Sequence, residues 1–202
     1  KYYKALLFGS IGSIVETSEI QRKSFNKAFK QYGLNWNWTK REYSNLLNKS
    51  GGKDRISGYA KKNKIIVNST YLRNLKTKIF NNYLKKNQLK LRPGVKNLVL
   101  FCKKKKIKLA FVSSTSSNNV NAILYSLRNS INKKEFSFVG NSKLTKKPKP
   151  NPAIYLKALK KLKLQANDCL AIEDTQESLN SARRAKIKCI IFPGKFHSSK
   201  KF

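Results

Sequence analysis

Acidic residues are scarce in this chain. Nine Asp and Glu stand against 45 Lys and Arg in 202 residues, leaving a formal charge of +36. Such an excess repels itself and costs stability unless a polyanion neutralises it, and it goes beyond what an enzyme for a small phosphorylated metabolite needs. It points to nucleic acid as the partner. A genome rich in A and T, pushing codons toward Lys, Asn and Ile, is the competing explanation, but it leaves the shortage of Asp and Glu unexplained. Other residues are also sparse. His197 is the one histidine, and Cys102, Cys169 and Cys189 lie far apart with no CxxC pair, so the sequence carries no zinc-site pattern. The cysteines read as buried reduced thiols, which implies a reducing compartment. No run approaches the roughly 18 apolar residues of a membrane span. There is no signal-peptide pattern, and the absent initial Met implies a processed or incompletely traced chain.

What is present is enough to build a core: 40% hydrophobic and 11% aromatic residues suit one domain, or one core with an inserted subdomain. Ala5 to Phe8 is an apolar run that breaks at Gly9 into a loop through Ser10, Ile11, Gly12 and Ser13, as a buried strand runs into a site-forming turn. Residues 18 to 32 read as an amphipathic helix ending at Gly33, and Thr39-x-x-Glu42 is a capping box that starts another. Trp36 and Trp38 before it read as core packing rather than a base-stacking platform. Gly51-Gly52-Lys53 is a loop, and helices follow over about 54–62 and 68–86.

After LRPGV (91–95) the period changes. A helix over 94–105 is followed by strands at 107–112, 136–139, 169–172 and 189–192, with helices between them up to about 128, over 152–163 and over 176–185. Alternation of this kind predicts a parallel sheet with helices on its faces. An α/β core, 1–15 and 91–202, is thus interrupted by an all-helical insertion over 16–90. Ligands in such sheets bind beyond the strands' carboxyl ends, where Gly9–Ser13, Ser113–Ser116, Lys146–Lys149 and Glu173–Asp174 meet.

Those four segments, in that order, resemble the haloacid dehalogenase (HAD) superfamily of phosphatases and mutases, and within it the CbbY-like sugar-bisphosphate phosphatases of bacteria and plastids. SFNKAFKQYGLNWNW, REYSNLLNKSGGKDRI, KPNPAIYLKAL, CLAIEDT and CIIFPG look like that subfamily too, and the similarity runs from about residue 3 to 196. The resemblance implies a HAD-like Rossmannoid core with an inserted helical cap. It also implies a nucleophilic and an acid/base aspartate after the first strand, where this chain has Gly9 and Ile11, with Gly12 retained and Ser13 in place of Thr. The expected catalytic set is therefore degenerate. Ser113 and Lys147, or Lys149 in the same KKPKPNP run, match the phosphate-binding hydroxyl and lysine. Lys53 and Arg55 match a loop for a distal phosphate, and Glu173 and Asp174 match the magnesium carboxylates. All are read as vestigial, with Mg2+ binding weak or lost because the first Asp is absent. Glu173 and Asp174 have a plainer role open to them as helix caps, and Asp174 could pair with Lys147. Further departures are Gln21 for the family's His, Lys186 for a Gly, and a shorter end.

The function expected on these grounds is a pseudoenzyme without cofactor. It would be a basic RNA-binding subunit of a ribonucleoprotein, an organellar ribosome of mitochondrion or plastid foremost, contacting rRNA and neighbouring subunits without DNA sequence specificity. RNA-binding candidates are Lys103, Lys104, Lys105, Lys106, Lys146, Lys149, Lys157, Lys160, Lys161, Arg183, Arg184 and Lys186. The alternatives are a residual phosphosugar phosphatase or sensor, and a protein scaffold in another organellar complex.

Overall fold

A computed structural model describes residues 2–47 and 51–196, so His197 and part of the REYSNLLNKSGGKDRI stretch lie outside the described residues. The chain divides into two compact units, Lys1–Glu16 with Asn87–Phe202, and Thr17–Lys86. In chain order the elements are β1 (Ala5–Phe8), α1 (Ile11–Ile14), α2 (Ser18–Gln31), α3 (Lys40–Leu46), α4 (Gly52–Lys62), α5 (Ser69–Lys86), α6 (Val95–Lys104), β2 (Lys108–Val112), α7 (Ser117–Ser126), β3 (Phe136–Gly140), α8 (Ala153–Leu162), β4 (Cys169–Glu173), α9 (Gln176–Arg184) and β5 (Lys188–Ile191).

The first unit is built on a five-stranded parallel sheet in the order β3-β2-β1-β4-β5. Every residue of β1 is buried, which is why it reads as a continuous apolar run rather than an alternating one. Phe8 is level with Phe111 of β2 and Ile172 of β4, so Gly9 and Glu173 leave the sheet at one level and Ser113 follows the last residue of β2 at the same carboxyl edge. The chain walks from β1 out to β3 and then returns to the other side of β1 for β4. That reversal makes the β1/β4 boundary the place where a crevice opens. Ile154, Tyr155, Ala158 and Leu162 of α8 pack on Ala5, Leu7, Ala110 and Ala171, joining helix and sheet in one apolar cluster.

The second unit holds α2 to α5. Its centre is aromatic: the Trp38 ring lies 4.9 Å from Phe25 and 4.7 Å from Phe29, while Trp36 lies 5.3 Å from Phe29 and 5.0 Å from Tyr59. Edge and tilted pairs of this kind add to the area they bury. Both tryptophans are therefore packing residues. The capping box forms, Thr39 N donating to Glu42 Oε2 at 2.8 Å and Glu42 N to Thr39 Oγ1 at 3.2 Å.

Four helix ends share one device. Lys64, Lys106, Lys163 and Lys186 adopt left-handed backbone, φ 54–59°, after α4, α6, α8 and α9. The next residue, Ile65, Ile107, Leu164 or Ile187, bonds back to Ala60, Cys102, Leu159 or Ala182. This is the Schellman closure, with lysine where glycine is usual. Three details differ from the sequence expectation: Ile11–Ile14 is a short helix rather than loop, Gly52 and Lys53 open α4 rather than lying in a loop, and β5 starts at Lys188. Among the described residues no helix is long and apolar enough to cross a membrane.

Candidate active site

The carboxyl edge of the sheet carries a buried polar cluster within the first unit. Lys149, from the turn before α8, is 7% exposed. Its Nζ donates to the Gly9 carbonyl and, at 2.5 Å, to Glu173 Oε1. Glu173 is fully buried at the end of β4, and Tyr155 Oη donates to the same Oε1 at 2.6 Å. Burial raises the carboxyl's pKa, opposed by the neighbouring Lys149 ammonium. Glu173 Oε2 is buried and has no hydrogen-bond partner among the described residues.

Gly9 and Gly12 are what let this cluster close. A Cβ on Gly9 would meet Glu173 Oε1 at 2.0 Å and Tyr155 Oη at 2.2 Å; one on Gly12 would meet Asp174 Oδ2 at 1.7 Å. Asp174 itself accepts a hydrogen bond from Ser10 Oγ at 2.7 Å. Ser13 is buried and gives its hydroxyl to the Ser10 carbonyl at 2.7 Å, and Ser113 is buried at the end of β2 with its Oγ accepting from Thr115 N at 3.2 Å. Arg92 braces the loop from behind. Its Nη1 donates to Gly12 O and Phe192 O, and its Nη2 to Pro193 O, all at 2.7 Å, with Glu16 3.6 Å from Nε.

The residues predicted from sequence fall into several places. Ser113, Glu173 and Asp174 do converge here. Lys147 is exposed, and the lysine that reaches the site is Lys149. Lys149 is accordingly corrected as an RNA-binding candidate: an ammonium buried at the sheet edge is out of reach of a polymer's phosphate backbone. Neither Glu173 nor Asp174 caps α9, whose N-cap is Thr175, accepting from Ser178 N at 3.3 Å; nor does Asp174 pair with Lys147. In the helical unit, Lys53 is exposed while Arg55 donates to the Leu46 carbonyl at 2.9 Å. Lys103, Lys104, Lys105, Lys106, Lys146, Lys157, Lys160, Lys161, Arg183, Arg184 and Lys186 are exposed, with Lys103 paired to Glu135 at 2.7 Å. Sequence reasoning missed Tyr155, which looks like any apolar position of an amphipathic helix, and Arg92, hidden in the LRPGV turn.

The profile of haloacid dehalogenase-like hydrolases matches residues 12–192. The chain belongs to that family. Within the HAD family it groups with CbbY. It is 30% identical to protein CbbY of Cereibacter sphaeroides over 98% of this chain and 88% of the relative. The crystal structure of CbbY from Rhodobacter sphaeroides in complex with phosphate superposes with a TM-score of 0.88 at 30% identity, covering 99% of this chain and 90% of that one. A variant of that CbbY in complex with xylulose-(1,5)bisphosphate gives a TM-score of 0.86 at 28% identity and the same coverage. A CBBY-like protein of Arabidopsis thaliana is 32% identical over 93% of this chain and 62% of the relative.

These likenesses correct the function expected from charge. Relatives that match along nearly the whole chain are CbbY proteins, one of them solved with a sugar bisphosphate, and the chain itself belongs to the haloacid dehalogenase-like hydrolases. The pseudoenzyme reading, the rRNA and ribonucleoprotein partners and the ribosomal assignment are withdrawn on that finding. So is the expectation of no cofactor, since the family implies Mg2+. The residues present suit the ion in one respect: Oε2 of Glu173 is an orphaned buried oxygen beside Asp174. Among the described residues no three His, Cys, Asp or Glu side chains are placed together so that they could hold a metal ion. These two carboxylates would be the protein's side-chain share of a Mg2+ shell, within what the ion accepts when waters and substrate phosphate complete it.

Proposed function

We propose that this chain recognises a phosphorylated sugar, foremost a sugar bisphosphate, and turns it over only residually. The observation that carries the reading is the buried Lys149–Glu173 pair at the carboxyl edge of the sheet, in a chain alike over 99% of its length to a CbbY that holds xylulose-(1,5)bisphosphate. An ammonium fixed at that depth is a costly feature to retain unless an anion uses it. In this reading Lys149 and Ser113 receive the transferring phosphate. Glu173 and Asp174 hold Mg2+, which when bound supplies charge neutralisation for the phosphoryl oxygens. The helical unit is the family's cap. Turnover is residual because the family's two aspartate positions read Gly9 and Ile11. An organellar compartment, plastid foremost, belongs to the same proposal and is supported by the likeness to the Arabidopsis thaliana protein; imaging of a tagged full-length protein tests it.

Calorimetric titration with xylulose bisphosphate in Mg2+, alongside phosphate release, tests the function. Saturable binding is expected, weakened about tenfold or more in Lys149→Met and in Ser113→Ala, which leaves the buried ion pair intact. Absence of both binding and phosphate release in the wild type overturns the proposal.

A further inference from the structure

The loop between α4 and α5 holds aliphatic side chains out in water. Ile66 is fully exposed, at 101%, and Ile65 beside it is 41% exposed. Apart from Tyr2, every other large apolar side chain among the described residues keeps about half or more of its surface covered. Tyr32 and Tyr71 flank the loop, both exposed, with ring centres 5.8 Å apart. The loop is pinned on both sides. Lys64 N donates to Lys61 O and Ile65 N to Ala60 O, closing α4, while Tyr71 N donates to Asn68 Oδ1 at 3.0 Å, opening α5. Asn68 N donates to Tyr32 Oη at 3.2 Å, which ties the loop to the end of α2. The exposure of Ile66 is therefore built into the fold, and an apolar patch held out in this way marks a contact surface.

Charge identifies the kind of surface it meets. Lys61, Lys62 and Lys64 are exposed immediately before the isoleucines, and residues 55–86 contain no Asp or Glu. A soluble polyanion would satisfy these lysines but leave Ile66 in water, and an apolar protein groove would take the isoleucine but not the lysines. An anionic bilayer meets both demands: aliphatic side chains enter the acyl boundary, lysines stay among the headgroups with their stems along the apolar layer, and tyrosines suit the zone between. We propose that the α4–α5 loop docks the helical unit on an anionic lipid bilayer, with Ile65 and Ile66 in the acyl boundary and Lys61, Lys62 and Lys64 on the headgroups. The contact is peripheral and reversible, because two isoleucines bury far fewer methylenes than a single acyl chain. Salt weakens it by screening the lysines.

The test sediments the purified full chain with vesicles of phosphatidylcholine, with and without about 30 mol% phosphatidylglycerol, at low and physiological salt. Binding to the anionic vesicles alone, falling as salt rises, is the expected result. Ile66→Ser should lower the affinity about tenfold or more, and Lys61→Gln, Lys62→Gln and Lys64→Gln combined about a hundredfold. Leu100→Ser, at a half-exposed apolar position of α6, should leave it unchanged. In Ile66→Trp the added indole should shift its emission to the blue on the vesicles and be quenched by brominated acyl chains. All the changed side chains are exposed, so urea midpoints should stay close to that of the wild type. Equal binding by the wild type and the loop variants, a loss in Leu100→Ser as large as in Ile66→Ser, or an added indole that escapes quenching would show the +36 charge acting without the loop and overturns the proposal. A wild type that ignores anionic vesicles overturns it too; if Ile66→Ser then dissolves a dimer in sedimentation velocity, the loop belongs to a second copy of the chain.

Discussion

A methyl group added at Gly9 would sit 2.0 Å from Glu173 Oε1. Neither that carboxylate nor Tyr155 Oη can retreat without breaking a buried hydrogen bond, so Gly9→Ala should cost about 1–3 kcal/mol, read from urea midpoints. A nucleophilic Asp at position 9 would need the cluster rebuilt, not merely one codon changed. A second residue-scale prediction concerns Lys76 in the helical unit. It is 6% exposed, donates to Gln21 Oε1 at 2.8 Å and lies 4.8 Å from the ring centres of Phe25 and Phe80. Burial, aided by Arg55 and Arg73, pushes its pKa down from 10.5 to about 7. Between those values the unfolded chain holds a proton that the folded chain has released, so stability rises with pH through the window and the penalty is complete below about pH 7. Urea unfolding of wild type and Lys76→Met at pH 7 and pH 10 should show the wild type gaining on the variant by a few kcal/mol at the higher pH. Neither residue's role was legible in sequence. Lys76 is one of 45 like charges, and KKPKPNP holds three lysines that composition cannot rank; only the path of the turn before α8 selects Lys149 over Lys147.

The strands and most helices, in contrast, were readable from short apolar runs and amphipathic spacing, because each strand of a covered parallel sheet is apolar on both faces. The exception, Ile11–Ile14, is too short to show a helical period and contains Gly12. Helix ends were read less well, since left-handed positions usually announce themselves as glycine and four of them here are lysine. A non-glycine residue pays roughly 1–2 kcal/mol to sit there. Lys64, Lys106, Lys163 and Lys186 are all exposed, so each Lys→Gly change should stabilise by about 0.5–1 kcal/mol. The combined variant should raise the melting temperature by several degrees in calorimetry.

For the molecule as a whole, the +36 charge was the loudest signal in the sequence and the poorest guide to function. Net charge governs solubility, non-specific attraction and self-repulsion, whereas activity is set by a handful of positioned groups. What the charge does dictate is a response to ions. Raising salt from about 20 to 200 mM shortens the Debye length to under 10 Å and relieves repulsion among the surface lysines, so the urea midpoint should climb. Sulfate or phosphate should act at lower concentration than chloride. A flat salt response would show that the lysines are too far apart to strain the fold.

The outermost strand, β5, adds a colloidal consequence. Among the described residues it pairs only with β4, and it presents Ile190 half-exposed, with Lys188 at its start. An open edge of this kind is a template for strand addition, and like charge is one of the ways proteins keep such edges apart. The same electrolyte that firms each molecule therefore lowers the barrier between molecules. Shelf life in solution should pass through a maximum with ionic strength, clear of turbidity on the dilute side and scattering light on the concentrated side. Ile190→Lys should move that onset to higher salt.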